Sequence, residues 1–228
     1  MKRSEINALI RENIKWIEDK QVHLPPFAYW TPEEWAEKGH EYDEIRENML
    51  GWDVTDYGRG DFRKTGLLLF TIRNGNLRRS EFGKPYAEKL LISEVDQLSP
   101  NHFHWRKMED IINRGGGLLV LQLWNATTEE ELDLEKDVTV RIDGRVTKVP
   151  AGGKVYLKPG ESITLTPRMY HLFTAKKEKV LAWEVSMVNN DKTDNRFYEK
   201  QARFTQIEED EPAEYLLCNE YPEGEINV

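Results

Sequence analysis

Apolar residues in the first third of the chain fall at helical spacing. Ile6, Leu9, Ile10, Ile14 and Ile17 recur every three or four positions with Arg and Glu between them, which predicts an amphipathic helix over residues 4–20 lying on a larger body. An extended, aromatic-rich segment follows from His23 to Trp30. Thr31-Pro32-Glu33-Glu34 then reads as a helix start, with Thr31 as N-cap, Pro32 at the first helical position and Glu34 three residues after the cap. Glu41 to Leu50 reads as another short helix, closed by Gly51. His23 and His40 fall in this region and read as solvent-facing or capping residues.

From Thr65 the pattern becomes that of strands. Leu67 to Ile72 is a β run followed by the turn signal Asn74-Gly75-Asn76. Further strands are expected over Ala87–Val95, Gly117–Trp124, Val138–Ile142, Gly153–Leu157, Ser162–Thr166 and Val180–Val188. Asp143-Gly144 joins Val138–Ile142 to Val146–Val149 as a hairpin, and Gly152-Gly153 and Pro159-Gly160 mark two more turns. Many short strands joined by turns predict an antiparallel barrel or double-sheet jelly roll. An α/β fold would need crossover helices between residues 65 and 188, and the pattern offers none. The division expected is a helical N-terminal extension over 1–60 packed on a barrel over 61–228, forming one structural unit.

Composition narrows the classes of function. Net charge is −9 with acid and base interspersed, which argues against a nucleic-acid partner. No apolar run approaches the ~20 residues that cross a bilayer. The single cysteine, Cys218, allows no internal disulfide and fits a reducing compartment, so a cytoplasmic location is expected. The acidic run Glu208–Glu211 reads as a solvated face.

Candidate chemistry concentrates in Asn101–Gly117, N-H-F-H-W-R-K-M-E-D-I-I-N-R-G-G-G. In an extended chain residues i and i+2 share a face, so His102 and His104 present two imidazoles to one point, and Glu109 adds a carboxylate if the chain returns past it. That donor set suits a divalent first-row ion such as Mn2+, Fe2+, Co2+, Ni2+ or Zn2+. Downstream, a glycine turn at Gly160, a strand, a proline turn at Pro167 and then His171 open another strand. In a closed barrel His171 can point inward across from the first pair.

These two segments resemble the cupin motifs. His102, His104, Glu109 and Gly116 match the first motif, and Gly160, Pro167 and His171 the second. Met169 stands where the second motif has glycine, and the Pro-to-His gap is one residue shorter, a departure in the local turn. Nearly the whole chain resembles the D-lyxose isomerase family of cupins, through Pro25–Trp30, Gly51–Gly58, the Asn101–Gly117 block and the loop Asp191–Arg196. The resemblance implies a homodimeric double-stranded β-helix barrel that binds one divalent metal, often manganese, through His102, His104, Glu109 and His171. It also implies interconversion of free aldoses and ketoses, D-lyxose with D-xylulose and commonly D-mannose with D-fructose.

Such a reaction also needs a base near C2 and C1 and a proton carrier between O1 and O2. Lys89, in a strand just before the metal motif, is the first candidate to hold a sugar oxygen or relay a proton. Glu184, flanked by Trp183 and Val185, and Glu208, which opens the acidic run, are rival candidates for the base, with Glu208 favoured because the resemblance persists there. Asp194 and Arg196 are candidates to bind distal hydroxyls, and Trp105 and Tyr170 to line the pocket. Two other functions are compatible with the residues: an Fe(II)-dependent cupin dioxygenase, and a non-catalytic sugar-binding cupin.

Overall fold

A computed structural model of the chain describes residues 1–224. Three helices come first, α1 (Arg3–Glu18), α2 (Pro32–Ala36) and α3 (Asp43–Glu47). The strands are β1 (Gly51–Thr55), β2 (Leu67–Arg73), β3 (Tyr86–Ser93), β4 (Ser99–Phe103), β5 (Glu109–Ala126), β6 (Leu132–Asp133), β7 (Val138–Ile142), β8 (Arg145–Val149), β9 (Lys154–Leu157), β10 (Ser162–Leu165), β11 (Met169–Met187) and β12 (Arg196–Phe197). All strand pairings are antiparallel, with main order β1-β2-β3-β11-β5-β10-β7-β8. β4 and β12 pair beside β11, and β6 and β9 lie on β5. This is the mainly β barrel with an N-terminal helical region that the strand pattern predicts.

The capping box at Thr31 forms as read, with Thr31 N–H donating to Glu34 (2.8 Å) and Glu34 N–H to Thr31 Oγ1 (3.3 Å). The helical face of α1 buries Ile6, Ile10 and Ile17 against one side of the sheet, together with Trp52, Leu68, Phe70, Leu90 and Ile92. Leu67, Leu69 and Leu91 point the other way, into the barrel core with Leu119, Leu121, Val140, Ile163 and Ala182. β2 is therefore apolar on both faces because both faces are covered, which is why it reads as an unbroken run rather than an alternation. β1 belongs to this sheet, pairing with β2 from Gly51↔Thr71 to Thr55↔Leu67. The sheet thus begins inside the segment assigned to the helical extension.

The acidic run Glu208–Glu211 is not a free surface. Glu209 takes both Nε and Nη2 of the buried Arg3, Asp210 accepts from Ser4 N–H (2.9 Å) and Glu211 accepts from Asn7 (2.8 Å). Carboxylates gather there because the first turn of α1 exposes unpaired N–H groups and the positive end of its dipole.

β5 and β11 are single strands of 18 and 19 residues that each serve two walls. The first half of β11 pairs with β4 and its second half with β3. The corner lies where the β5–β11 register shifts between Lys176 and Val180, opposite Gly115–Gly117. Gly116 has φ +92°, and a Cβ added to it would come 1.9 Å from the carbonyl oxygen of Lys179. Gly116→Ala is therefore expected to lower stability by about 2 kcal/mol or more through strain and backbone clash together. A urea titration reads this as a reduced midpoint with unchanged slope.

Candidate metal centre and active site

The β4–β11 pairing sets His102 opposite His171. His104 lies one residue past the end of β4, where the chain turns before β5 begins at Glu109. Asp194 holds that turn: its carboxylate accepts from the N–H groups of Arg106 and Lys107 (3.0 Å each), and its carbonyl accepts from His104 Nδ1 (2.7 Å). Glu109 then faces inward on β5, opposite Ser186 of β11 and Leu165 of β10. The metal-ligating atoms offered by His102, His104 and His171 lie within 4.8 Å of one another.

Each imidazole is held in one tautomer. Nδ1 of His102, His104 and His171 contacts the carbonyl oxygens of Pro100 (2.8 Å), Asp194 (2.7 Å) and Met169 (3.0 Å). A carbonyl only accepts, so Nδ1 of each ring carries a proton and Nε2 is the nitrogen left to face the cluster. Burial, followed by the neighbouring His171 and His104, pushes the His102 pKa well below its ordinary value and so favours the neutral ring. Nε2 of His104 and His171 lie 3.5 and 3.2 Å from Glu109 Oε1. Three Nε2 atoms and one carboxylate oxygen brought close together, each ring fixed from behind, are a donor set that fits a divalent cation.

Beside this cluster runs a chain of buried charges. Lys107 Nζ lies 2.7 Å from Glu109 Oε2 and 2.8 Å from Glu184 Oε1, and Lys89 Nζ lies 3.3 Å from the same Glu184 oxygen. Ser186 Oγ donates to that oxygen as well (3.0 Å). Burial alone would raise the pKa of Glu109, yet Lys107 and then His104 hold it well below the usual carboxylate range. Burial likewise opposes ionisation of Glu184, and Lys107 and then Lys89 overcome it. Lys107 is itself raised: the two carboxylates outweigh the cost of burying its ammonium. Lys107 occupies Oε2 of Glu109 and so leaves Oε1 to face the imidazoles.

A cavity joins these groups to Tyr57, Asp191, Asn195, Phe197 and Arg203. Of the residues picked out from the sequence, His102, His104, Glu109, His171, Lys89 and Glu184 meet there. Glu208 does not: it is exposed, bridged to Lys2 at the N-terminus, where its carbonyl accepts from Arg3 N–H (2.9 Å). Asp194 has both carboxylate oxygens committed to backbone N–H groups, so it shapes the turn instead of offering itself to a ligand. Arg196 pairs with Glu130 (Nε to Oε2, 3.4 Å) and does not line the cavity. Trp105 donates to the same Glu130 (2.7 Å), and the Tyr170 hydroxyl donates to the Glu130 carbonyl, both outside the cavity. Lys107 escaped the sequence reading although it stands two residues before Glu109, the spacing that brought His102 and His104 together.

Residues 1–221 match the D-lyxose isomerase family. The chain belongs to that family of sugar isomerases. It is 47% identical to the D-lyxose/D-mannose isomerase of Escherichia coli O157:H7, over 97% of this chain and 98% of that protein. Identity to the D-lyxose/D-mannose isomerase of Serratia proteamaculans is 46% with the same coverage. Among solved structures, the fold is similar to that of Cellulomonas parahominis L-ribose isomerase without ligand, at a TM-score of 0.57 and 13% identity, covering 91% of this chain and 98% of that one. That structural similarity agrees with the fold derived from the strand pairing.

Proposed function

We propose that the protein interconverts D-lyxose and D-xylulose, and D-mannose and D-fructose, with one divalent cation, Mn2+ for preference, held by His102, His104, Glu109 and His171. The observation that carries this reading is the adjacency of two constellations in one cavity: three Nε2 atoms with Glu109, and the Lys89–Glu184–Lys107 chain. The relatives' names, D-lyxose/D-mannose isomerase, support the same sugars.

When bound, the cation supplies Lewis-acid stabilisation of the negative charge that develops on the vicinal oxygens O1 and O2. Glu184, kept as a carboxylate by its two lysines, takes the proton from C2 and returns it to C1. Lys89, buried and inward on β3, donates to a sugar oxygen and carries protons between O1 and O2. Lys107 fixes Glu184 and Glu109 relative to one another. Asp194 keeps the turn that carries His104 and Lys107 in register with both.

A homodimer is part of the proposal. Tyr86 and Met187 sit opposite one another and are exposed, and Val185 and Met108 add exposed apolar area close by, the kind of surface a second copy covers. The lone thiol of Cys218 and the family's free-sugar substrates fit a cytoplasmic enzyme.

The test is an anaerobic aldose panel on protein reloaded with Mn2+, run in deuterated water. D-lyxose is expected to give D-xylulose with deuterium at C1, without oxygen. Turnover only with oxygen and Fe2+ would replace this reading with a dioxygenase. Sugar binding without turnover under any metal would leave a binding protein.

A further inference from the structure

The turn Asn74-Gly75-Asn76 does more than end β2. In the sheet β3 separates β2 from β11, and β3 begins at Tyr86, opposite Met187. Past that point Asn74, the residue after β2, reaches Asn189, two residues after β11, directly. Asn74 Oδ1 accepts from the N–H of Asn189 (3.0 Å), and Asn74 Nδ2 donates to the Asn189 carbonyl (3.0 Å). The side-chain amide thus takes both backbone groups of Asn189, as a neighbouring strand would. Asn74 Nδ2 also donates to the Asn48 carbonyl (3.2 Å), and Asn48 Nδ2 returns a hydrogen bond to the Asn74 carbonyl (3.0 Å). Asn48 and Asn74 are both buried, so water does not compete for these bonds.

This clasp ends at Lys107. Asn189 Nδ2 donates to Asp191 Oδ2 (2.9 Å), and Asn189 Oδ1 accepts from Lys107 Nζ (3.3 Å). A carboxylate only accepts and an ammonium only donates, so a single orientation of the Asn189 amide serves both. Lys107 carries three N–H groups and meets three acceptors: Glu109 Oε2, Glu184 Oε1 and Asn189 Oδ1. Two acceptors alone would leave Nζ free to swing about the line between them; the third fixes it. Asn189 is the neutral one of the three, so it adds position without changing the balance of charge. Asn48, Asn74 and Asn189 line a separate cleft, and none of them lines the cavity that holds the imidazoles.

We infer that Asn74 is a positioning residue: by gripping the backbone of Asn189 it aims Asn189 Oδ1 at Lys107, which holds the Lys107 ammonium between Glu109 and Glu184. This rests on the aldose–ketose reading above, in which Lys107 sets those two carboxylates relative to one another. Asn74 stands outside the cavity, so its loss acts on the rate of proton transfer and not on the binding of sugar.

The test is a double-mutant cycle on D-lyxose turnover, with metal content and a thermal melt recorded for each protein. Asn189→Ala is expected to lose roughly 10-fold in kcat, the scale of one hydrogen bond to a charged group, with KM and metal content near those of wild type. Asn74→Ala should lose a similar factor in kcat and also melt lower, since it leaves the Asn48 and Asn189 carbonyls without their donor. In the double variant the drop in Tm should persist while kcat falls no further than in Asn189→Ala, because no amide remains to be aimed. Thr31→Ala, which removes the α2 cap, controls for lost stability alone, with a lower Tm and unchanged kcat. Should Asn74→Ala fail to fold, Asn74→Ser enters the cycle in its place. An Asn189→Ala protein with wild-type kcat would overturn the inference. So would losses in kcat that multiply in the double variant, or an Asn74 variant that lowers Tm and leaves kcat intact, either of which makes the clasp structural only. A wild type inactive on all aldoses would instead defeat the isomerase reading, and this assignment with it.

Discussion

Replacing His171 with alanine is expected to abolish isomerisation and metal retention together. Its Nδ1 is pinned to the Met169 carbonyl and its Nε2 lies 3.2 Å from Glu109 Oε1, so no neighbouring side chain can take its place in the donor set. Changes to the groups behind a metal ligand alone weaken affinity by about 10- to 100-fold, and loss of the ligand itself should exceed that. Metal content after gel filtration should drop from about one ion per chain toward zero. The wild type should gain roughly 2.7 kcal/mol of stability at a metal concentration 100 times the dissociation constant, read as a rise in Tm, and the variant should not. Acid should act in the same direction on wild type. The His102 pKa is depressed in the folded protein, so the unfolded chain binds the extra proton, and stability falls as pH drops below the ordinary imidazole value of about 6.5. Protons also compete directly for Nε2, so metal affinity should weaken over the same interval. A variant that kept stoichiometric metal and turnover would remove His171 from the site.

The clustering of the three histidines was legible because each sat in a pattern with a geometric meaning. His102 and His104 are two apart in an extended segment, and His171 opens a strand after a turn. β2, β3 and β7–β10 were likewise legible as apolar runs bounded by turn residues. β4 was not, because Ser99-Pro100-Asn101-His102-Phe103 is half polar, and its strand character comes from pairing with β11 and β12. β1 was hidden behind the helical stretch for the same reason: its partner β2 lies beyond an intervening turn-rich segment. The candidates that lie outside the cavity share one cause. Asp194, Arg196 and Glu208 are polar groups in loops, and a sequence does not say whether such a group faces a cavity or satisfies nearby backbone. Asp194 spends its oxygens on the N–H groups of Arg106 and Lys107, 88 and 87 residues away in the chain.

Glu184→Gln is the second large effect expected, and it reads differently from the loss of a ligand. The amide keeps the shape of the side chain and leaves the three imidazoles and Glu109 untouched, so metal content should stay near that of wild type. Turnover should fall by about 10²- to 10⁴-fold, the usual contribution of a positioned base, and should fall in kcat rather than KM. Stability should fall as well, because Glu184 lies within reach of two buried ammonium groups. Without its charge, Lys107 keeps Glu109 and the Asn189 amide oxygen, and Lys89 loses the carboxylate 3.3 Å away. Breaking a buried pair in this way costs about 3–5 kcal/mol, so melts must accompany the kinetics. The pH dependence separates the two roles. The Glu184 pKa is depressed in the fold, so its contribution to stability is present above the unfolded carboxylate value of about 4.3 and is lost as pH falls through the lower, folded value. The difference in Tm between wild type and Glu184→Gln should accordingly be large at pH 7 and shrink in acid. Exchange of the C2 proton with solvent should be lost at every pH. If the variant instead lost its metal and kept exchanging that proton, Glu184 would be holding the centre together and some other group would be the base.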